Sequence, residues 1–443
     1  MEFTLIDEVE VDVDTARIYV EGWQSWSPTG WFPAAGTGPR PDQRWQHLMR
    51  FRPGTDLPAD GYQGEGLIAV DPGGELPVQV YGAPDPRATP PSIRARLSGS
   101  TVLVSADGPA SVVTVPAGGD AALAAFGDLW SAALGGVPLR PAPSVWCSWY
   151  HYFEDVTEAD IVENMAGIRE HSLPVDVIQI DDGWQRGIGD WHGHSERFAS
   201  LTGLRRRIGD AGMRAGIWVA PFLVGSGSEL ARTHPDWLVG EAGTNWHQDL
   251  YGLDMTHPAA REHLWTAFRE LREMGFDYVK LDFLYAGAVP GSRHDGSGPL
   301  DAYRSGLRLI RDAVGPETYM LGCGAPILPS VGLVDGMRVS PDTFHAGQQD
   351  GSAGLRGAPA AAARAWQHGR LWTNDADCLV ARPSFGLRAT WAEVVEAYSG
   401  LRSWSDRVED LDRWGLDTTR RLLAHPPGTR PLIDSPLSKE TPA

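Results

Sequence analysis

The rhythm of the sequence changes once, and that change fixes the architecture. From about residue 141 onward, short apolar runs at 145–150, 177–181, 215–220, 277–283, 318–323, 335–340, 371–374 and 401–404 alternate with helical segments. Alternation of this kind is the mark of parallel βα units, and eight of them predict a closed (β/α)8 TIM barrel over 141–425. The helices are well signalled. Residues 158–170, "PAAREHLWTAFREL" and "LDAYRSGLRLIRDA" keep apolar spacings of three and four, and the second opens on Pro258. A ninth strand-like run, "LYGLDM", follows "NWHQD" too closely to own a crossover helix and is assigned to a long loop after the third strand.

Upstream the pattern differs. Runs such as "FTLIDEVEVDV", "ARIYVEG", "LPVQVYG", "TVLVSAD" and "SVVTVPAG" are separated by Gly, Pro and Asp turns, which predicts an antiparallel β-sandwich over 1–120. A linker helix is expected within 121–140. The Pro- and Ser-rich tail, 426–443, is expected to be disordered.

A net charge of −19 without any basic run excludes nucleic acid and anionic membrane as partners and favours a neutral small molecule. No apolar run reaches the roughly 18 residues of a spanning helix, and the opening "MEFTLIDEVEVDVD" lacks a signal-peptide pattern, so a cytoplasmic protein is expected. Three scattered cysteines, Cys147, Cys323 and Cys378, build neither a disulfide framework nor a zinc site. "HGHS" at 192–195 has no convergent partners at metal-ligand spacing, so neither metal nor cofactor is expected. Eighteen tryptophans either pack a core or gather where an aromatic face covers the C–H face of a pyranose.

In a parallel barrel the chemistry sits at the C-terminal ends of the strands. There the sequence places Trp149, Tyr150, Asp181, Asp182, Trp218, Lys280, Asp282, Cys323, Arg338, Asp342, Asp375 and Asp377 around one cup. Lys280 and Asp282 share a strand face. A self-satisfied buried ion pair is the plain explanation, but only Lys280 and Lys439 are lysine among 38 basic residues. A lone buried lysine points to a compact ammonium that binds ligand hydroxyls and favours the ionised form of a neighbouring carboxylate. Asp181–Asp182 reads either as a turn capping the next helix or as a pair of hydroxyl acceptors, and Asp342 as a turn residue or an acid. Glycoside cleavage needs two carboxyl groups flanking the scissile bond, and Asp282 with Asp342 is the pair selected.

These motifs closely resemble a known family. "GWQSW", "WCSWYHYF", "IQIDDGW", "GIWVAPF", "VKLDFLYAGAVPG", "LGCGAPILPSVGLVDGMRVSPDT" and "WTNDADC" run in the order found in the family 36 glycoside hydrolases, the α-galactosidases of clan D. The resemblance implies a β-sandwich followed by a (β/α)8 barrel and a retaining mechanism through a galactosyl-enzyme intermediate. It implies Asp282 as nucleophile and Asp342 as general acid/base, with Asp181, Asp182, Lys280 and Arg338 on the sugar hydroxyls. Trp218, Tyr150 and Cys323 would line the pocket, with Trp26 reaching in from the sandwich. The family's C-terminal β-domain is expected to be absent, since the chain ends about forty residues after the last barrel strand. Galactosyl transfer of the raffinose- or stachyose-forming kind, or action on α-N-acetylgalactosamine, is the near alternative; a non-catalytic carbohydrate-binding protein is the remote one. A homo-oligomer is compatible with the sequence.

Overall fold

The computed structural model of the chain describes residues 2–41, 44–343 and 355–436. Its N-terminal part is a sandwich of two antiparallel sheets. One runs in the order Thr4–Glu10, Thr101–Ala106, Ser92–Ser98, Tyr62–Glu65, and the other Gly30–Pro33, Arg17–Val20, Leu67–Asp71, Val78–Gly82, Ser111–Val115. Period-two alternation shows why both faces of the second sheet are apolar. Ile18, Ile68 and Val70 point into the sandwich, while Tyr19, Leu67 and Ala69 join a core continuous with the rest of the molecule. The expected linker helix, Gly119–Ala133, fills that second face. Its Trp130 donates to the Ala83 carbonyl at 2.8 Å and meets Trp366 of the barrel at a ring distance of 6.2 Å.

The eight expected barrel strands are all present, at Ser144–Cys147, Val177–Ile180, Arg214–Val219, Tyr278–Leu281, Tyr319–Gly322, Gly336–Arg338, Thr373–Asp375 and Arg402–Trp404. They form one parallel sheet in sequence order. The seventh and eighth strands bring the ring together through backbone bonds from Gly400 and Leu401 to the Asn374 carbonyl, and from Leu379 to Ser403. The barrel floor holds Val145, Val177, Tyr278, Tyr319, Leu321 and Leu401. The helix Pro258–Met274 starts with its proline and stops at Gly275, whose φ of 98° only glycine adopts readily.

Two readings of the sequence change in detail. The segment "LYGLDM" lies after the third strand as expected, but most of it is the strand Gln248–Leu253, paired between Leu223–Gly225 and Leu238–Asn245 in a small antiparallel sheet. Of the tail expected to be disordered, residues 426–436 lie against the barrel: the Ile433 carbonyl accepts from Arg370 at 3.0 Å and Ser435 is buried. Residues 437–443 lie outside the described residues.

The sandwich docks through one buried ion pair. Arg364 donates to Glu21 at 2.7 Å, both side chains fully inaccessible, and to the carbonyls of Ser25, Gln24 and Val339 and the Thr29 hydroxyl. Tyr19 and Gln367 complete the ring of donors on Glu21. Removing one member of such a pair strands the other in a medium that cannot solvate it. Arg364→Met should therefore lower the unfolding free energy by about 3–5 kcal/mol, measured in urea. A change below about 1 kcal/mol would show that the contact does not hold the two parts together.

Candidate active site

A cavity of about 520 Å³ opens at the C-terminal end of the barrel, and four aspartates line it: Asp181, Asp182, Asp282 and Asp342. Each is compensated differently. Asp181 follows the second strand and is saturated. Its Oδ2 accepts from Lys280 Nζ at 2.9 Å, Gln179 Nε2 at 2.5 Å and the Cys147 thiol at 3.3 Å, and its Oδ1 from the Asp182 N–H at 2.9 Å. Lys280 thus hydrogen-bonds to Asp181, across the barrel sheet, rather than to Asp282 on its own strand. Burial disfavours its charge, but Asp181, with Cys147 and Asp282 behind it, holds the ammonium well above the ordinary lysine value.

Asp182 accepts from Gln185 at 2.6 Å and from the Trp246 indole at 2.9 Å. Among the described residues no cation reaches it directly. Burial, reinforced by the charge of Asp181 and moderated by the Gln185 and Trp246 bonds, pushes its carboxyl up to about 7.

Asp282 follows the fourth strand, where Phe283 adopts φ 49°, ψ 33° and turns the chain out of the sheet. That turn lets the Phe283 N–H reach back to Asp282 Oδ1 at 2.7 Å, while the Trp218 indole donates to Oδ2 at 3.0 Å. Two neutral donors therefore fix this carboxylate, and among the described residues no cation meets it directly. Asp342 lies beyond the sixth strand and is the most open of the four, its side chain 37% exposed; Arg338 donates to it at 2.9 Å.

Beneath Asp342 lies a supporting layer. Arg338, itself buried, pairs with Asp377 at 2.6 Å, and Asp377 also accepts from the Tyr150 hydroxyl, the Thr343 N–H and the Thr343 hydroxyl. Burial, offset by Arg338 and reinforced by Asp342, pushes Asp377 up to about 6. Of the residues singled out in the sequence, Trp26, Trp149, Asp181, Asp182, Trp218, Lys280, Asp282 and Asp342 line the cavity. Tyr150, Cys323 and Arg338 are buried and are not among its lining residues. They stand behind it, Tyr150 and Arg338 as parts of the Asp377 cluster.

Trp26 comes from the sandwich loop held by Arg364. Its ring meets Phe283 edge-on at 5.1 Å, and among the described residues its indole N–H has no hydrogen-bond partner. Trp246 was not foreseen. It occupies, with His247, the two-residue turn between Leu238–Asn245 and Gln248–Leu253, and both have positive φ, 48° and 56°. Such turns usually carry Asn-Gly, so "NWHQ" gives no hairpin signal; a strained non-glycine turn instead marks a site where position matters. His192 and His194 do not converge on a site: His192 pairs with Glu270 at 2.9 Å near the surface, and His194 bonds the Ser195 carbonyl.

The melibiase family model matches residues 139–296. An α-galactosidase of Escherichia coli is 32% identical over 156 residues, 32% of this chain and 21% of that protein. The α-xylosidase XylQ of Lactiplantibacillus pentosus is 30% identical over 162 residues, 34% of this chain and 21% of that protein. The matched segment thus spans about a fifth of the length of these relatives. The likeness in structure is much broader. TtGalA, an α-galactosidase from Thermus thermophilus solved in complex with stachyose, superimposes with a TM-score of 0.78 at 28% identity, over 96% of this chain and 94% of that one. The same enzyme with p-nitrophenyl α-D-galactopyranoside gives 0.76 at 27% identity, over 96% and 92%.

Asp182 offers a test of this geometry that needs no ligand. Its native value of about 7 exceeds the ordinary 3.8, so between those pH values the native state binds more protons than the unfolded chain. Stability from this group is therefore greatest at low pH and falls as pH rises toward 7. Asp182→Asn cannot ionise, so its stability relative to the native sequence should improve steadily from pH 4 to pH 7 and then level off. Urea unfolding at several pH values measures this; a difference that does not vary with pH would remove Asp182 from its buried, cation-free setting.

Proposed function

We propose that this family 36 glycoside hydrolase removes terminal α-linked galactose from small galactosides with retention of anomeric configuration, by double displacement on Asp282 and Asp342. One observation carries the assignment of roles. Among the four cavity aspartates, Asp181 is tied to Lys280, Asp182 has its proton affinity raised to about 7, Asp282 is fixed by the Trp218 indole and the Phe283 N–H with no cation in direct contact among the described residues, and Asp342 alone is substantially open to water. A nucleophile must be rigid and electron-rich; a group that first gives a proton and later activates water must reach solvent.

In the first step Asp282 attacks the anomeric carbon as Asp342 protonates the departing oxygen, leaving a covalent galactosyl ester. In the second, Asp342 takes a proton from water, which attacks the anomeric carbon from the face the leaving group vacated and displaces Asp282. Asp181, saturated by Lys280 and Gln179, keeps Lys280 in place, and both line the cavity where sugar hydroxyls would bind. Asp182, presented by Gln185 and Trp246, adds a further acceptor. Arg338 holds Asp342 from behind while Asp377 and Tyr150 hold Arg338. The complexes of TtGalA with two α-galactosides support galactose as the sugar, and its likeness to this chain spans nearly the whole of both. Within this reading we place the protein in the cytoplasm, which fits three buried, unpaired cysteines.

Proton NMR of the first-formed sugar from an aryl α-galactoside, run beside the α-xyloside, tests the reaction. α-Galactose should appear first, and β-galactose first would sink retention. Asp282→Gly should lose on the order of a thousandfold or more in turnover and recover part of it with azide, which enters the vacated face to give the β-galactosyl azide. Activity within about tenfold of the native enzyme would refute the assignment.

Asp342→Ala should separate the two steps. A dinitrophenolate leaves without help, so an activated galactoside should give a burst and then slow turnover, sped by azide, which needs no base. A disaccharide should go uncleaved. Equal losses on both substrates with no burst would move the role to another carboxylate.

A further inference from the structure

The cavity is polarised, and its outer end has the opposite charge from its floor. Asp181, Asp182, Asp282 and Lys280 line only the inner cavity, whereas Trp26, Arg50, Pro341 and Arg356 line both it and an adjoining groove of about 610 Å³ between sandwich and barrel. Arg50 and Arg356 therefore stand at the passage from one to the other. Pro341 at that passage precedes Asp342 in the chain, so the passage lies on the side where a leaving group departs from the acid.

These two arginines are unlike the other inward-facing arginines of the molecule. Arg52, Arg338, Arg364, Arg370 and Arg382 each meet a carboxylate within 3.0 Å, and the buried Arg293, Arg304 and Arg402 donate to backbone carbonyls. Arg50 and Arg356 are half-buried, and among the described residues neither side chain has a hydrogen bond or an ion pair. Burial and the charge of Arg356 push the Arg50 guanidinium below its ordinary value, with Asp342 acting in the opposite sense. Arg50 is not there by loose chance. It ends the helix Arg44–Arg50, whose last carbonyls, those of Met49 and Arg50, accept from Gln24 and Ser27 of the same sandwich loop that carries Trp26. Two like charges held over one opening, with Asp342 acting on Arg50 through space but no direct ion pair among the described residues, raise the free energy of the empty protein, and an anion between them would lower it.

Resting on the α-galactosidase reading, we propose that the preferred substrate is an α-galactoside whose leaving-group sugar carries an anionic group, a phosphate monoester or a carboxylate, received by Arg50 and Arg356. The net charge of −19 disfavours anions at long range, but screening confines that field to about 10 Å at 0.1 M salt, and contact recognition is decided by the local pair. The groove beyond, with Trp31 and Tyr398 among its walls, leaves room for the body of that sugar.

The test compares kcat/KM for galactose α-linked to glucose, to a glucose phosphate and to glucuronate, with p-nitrophenyl α-galactoside as a control. The native enzyme should favour at least one anionic disaccharide over the neutral one by about tenfold or more, with the advantage shrinking as salt is raised. Phosphate alone, carboxylate alone or both being favoured identifies the source of the anion. Arg50→Gln and Arg356→Gln should each reduce the ratio, and the double variant should bring it near one. A ratio of one or less in the native enzyme, or a ratio unchanged in the double variant, overturns the inference. Because the ratio is first read in the native enzyme, a variant that fails to fold does not decide the matter. Cleavage of the aryl galactoside with no anionic preference would sink this inference alone; no cleavage of the aryl galactoside would sink the activity reading and this inference with it.

Discussion

Four aspartates line one cavity whose inner end holds a lysine and whose mouth holds two arginines, and the site is built around the crowding of carboxylates at that inner end. Like charges at close range cannot all ionise cheaply in a poorly solvated pocket. The Lys280–Asp181 bond settles the first of them by consuming the lysine ammonium that lines the cavity. Asp182 is left with neutral donors and a raised proton affinity. Asp282 is held by an indole and a backbone N–H, and Asp342 by an arginine already paired with Asp377. The division of labour among chemically identical side chains follows from which partner each obtained, and that is set by strand register. Trp218 lies opposite Lys280 across the third and fourth strands, which brings its indole beside Asp282 two residues further on.

The sandwich takes part in this arrangement through a contact far from the charges it serves. Glu21 and Arg364 are the only fully buried pair that joins the two parts among the described ion pairs, and Arg364 gathers the carbonyls of the loop that presents Trp26. The same loop binds the end of the helix bearing Arg50. A strong, geometrically demanding interaction in the core thus positions both an aromatic wall and a cation at the cavity mouth.

Much of this was readable from the sequence because the relevant signals are local. Strand periodicity put Lys280 and Asp282 on one face, the alternation of strands and helices gave eight barrel strands, and the strand-end rule gathered the aspartates. What was not readable depends on contacts between distant segments. Nothing in "YVKLDF" says that Lys280 prefers Asp181, 99 residues away. Tyr150 and Arg338 are strand-end polar residues like those of the wall, yet Asp377 draws them into the layer behind. Trp246 was hidden because its turn uses residues that ordinarily avoid positive φ.

The overall charge illustrates the same limit from the other side. A strongly acidic chain argues for a neutral partner when charge is averaged over the molecule, and that average describes long-range encounter. Binding is decided within a few ångströms, where the acidic floor and two arginines at the mouth, without ion pairs among the described residues, present opposite faces to the two ends of one ligand. Carboxylates suit the end that offers hydroxyl donors, and guanidiniums suit an end that offers only acceptors. A substrate that is polyol at one end and anionic at the other would satisfy both, and it would be oriented by charge before any bond is broken.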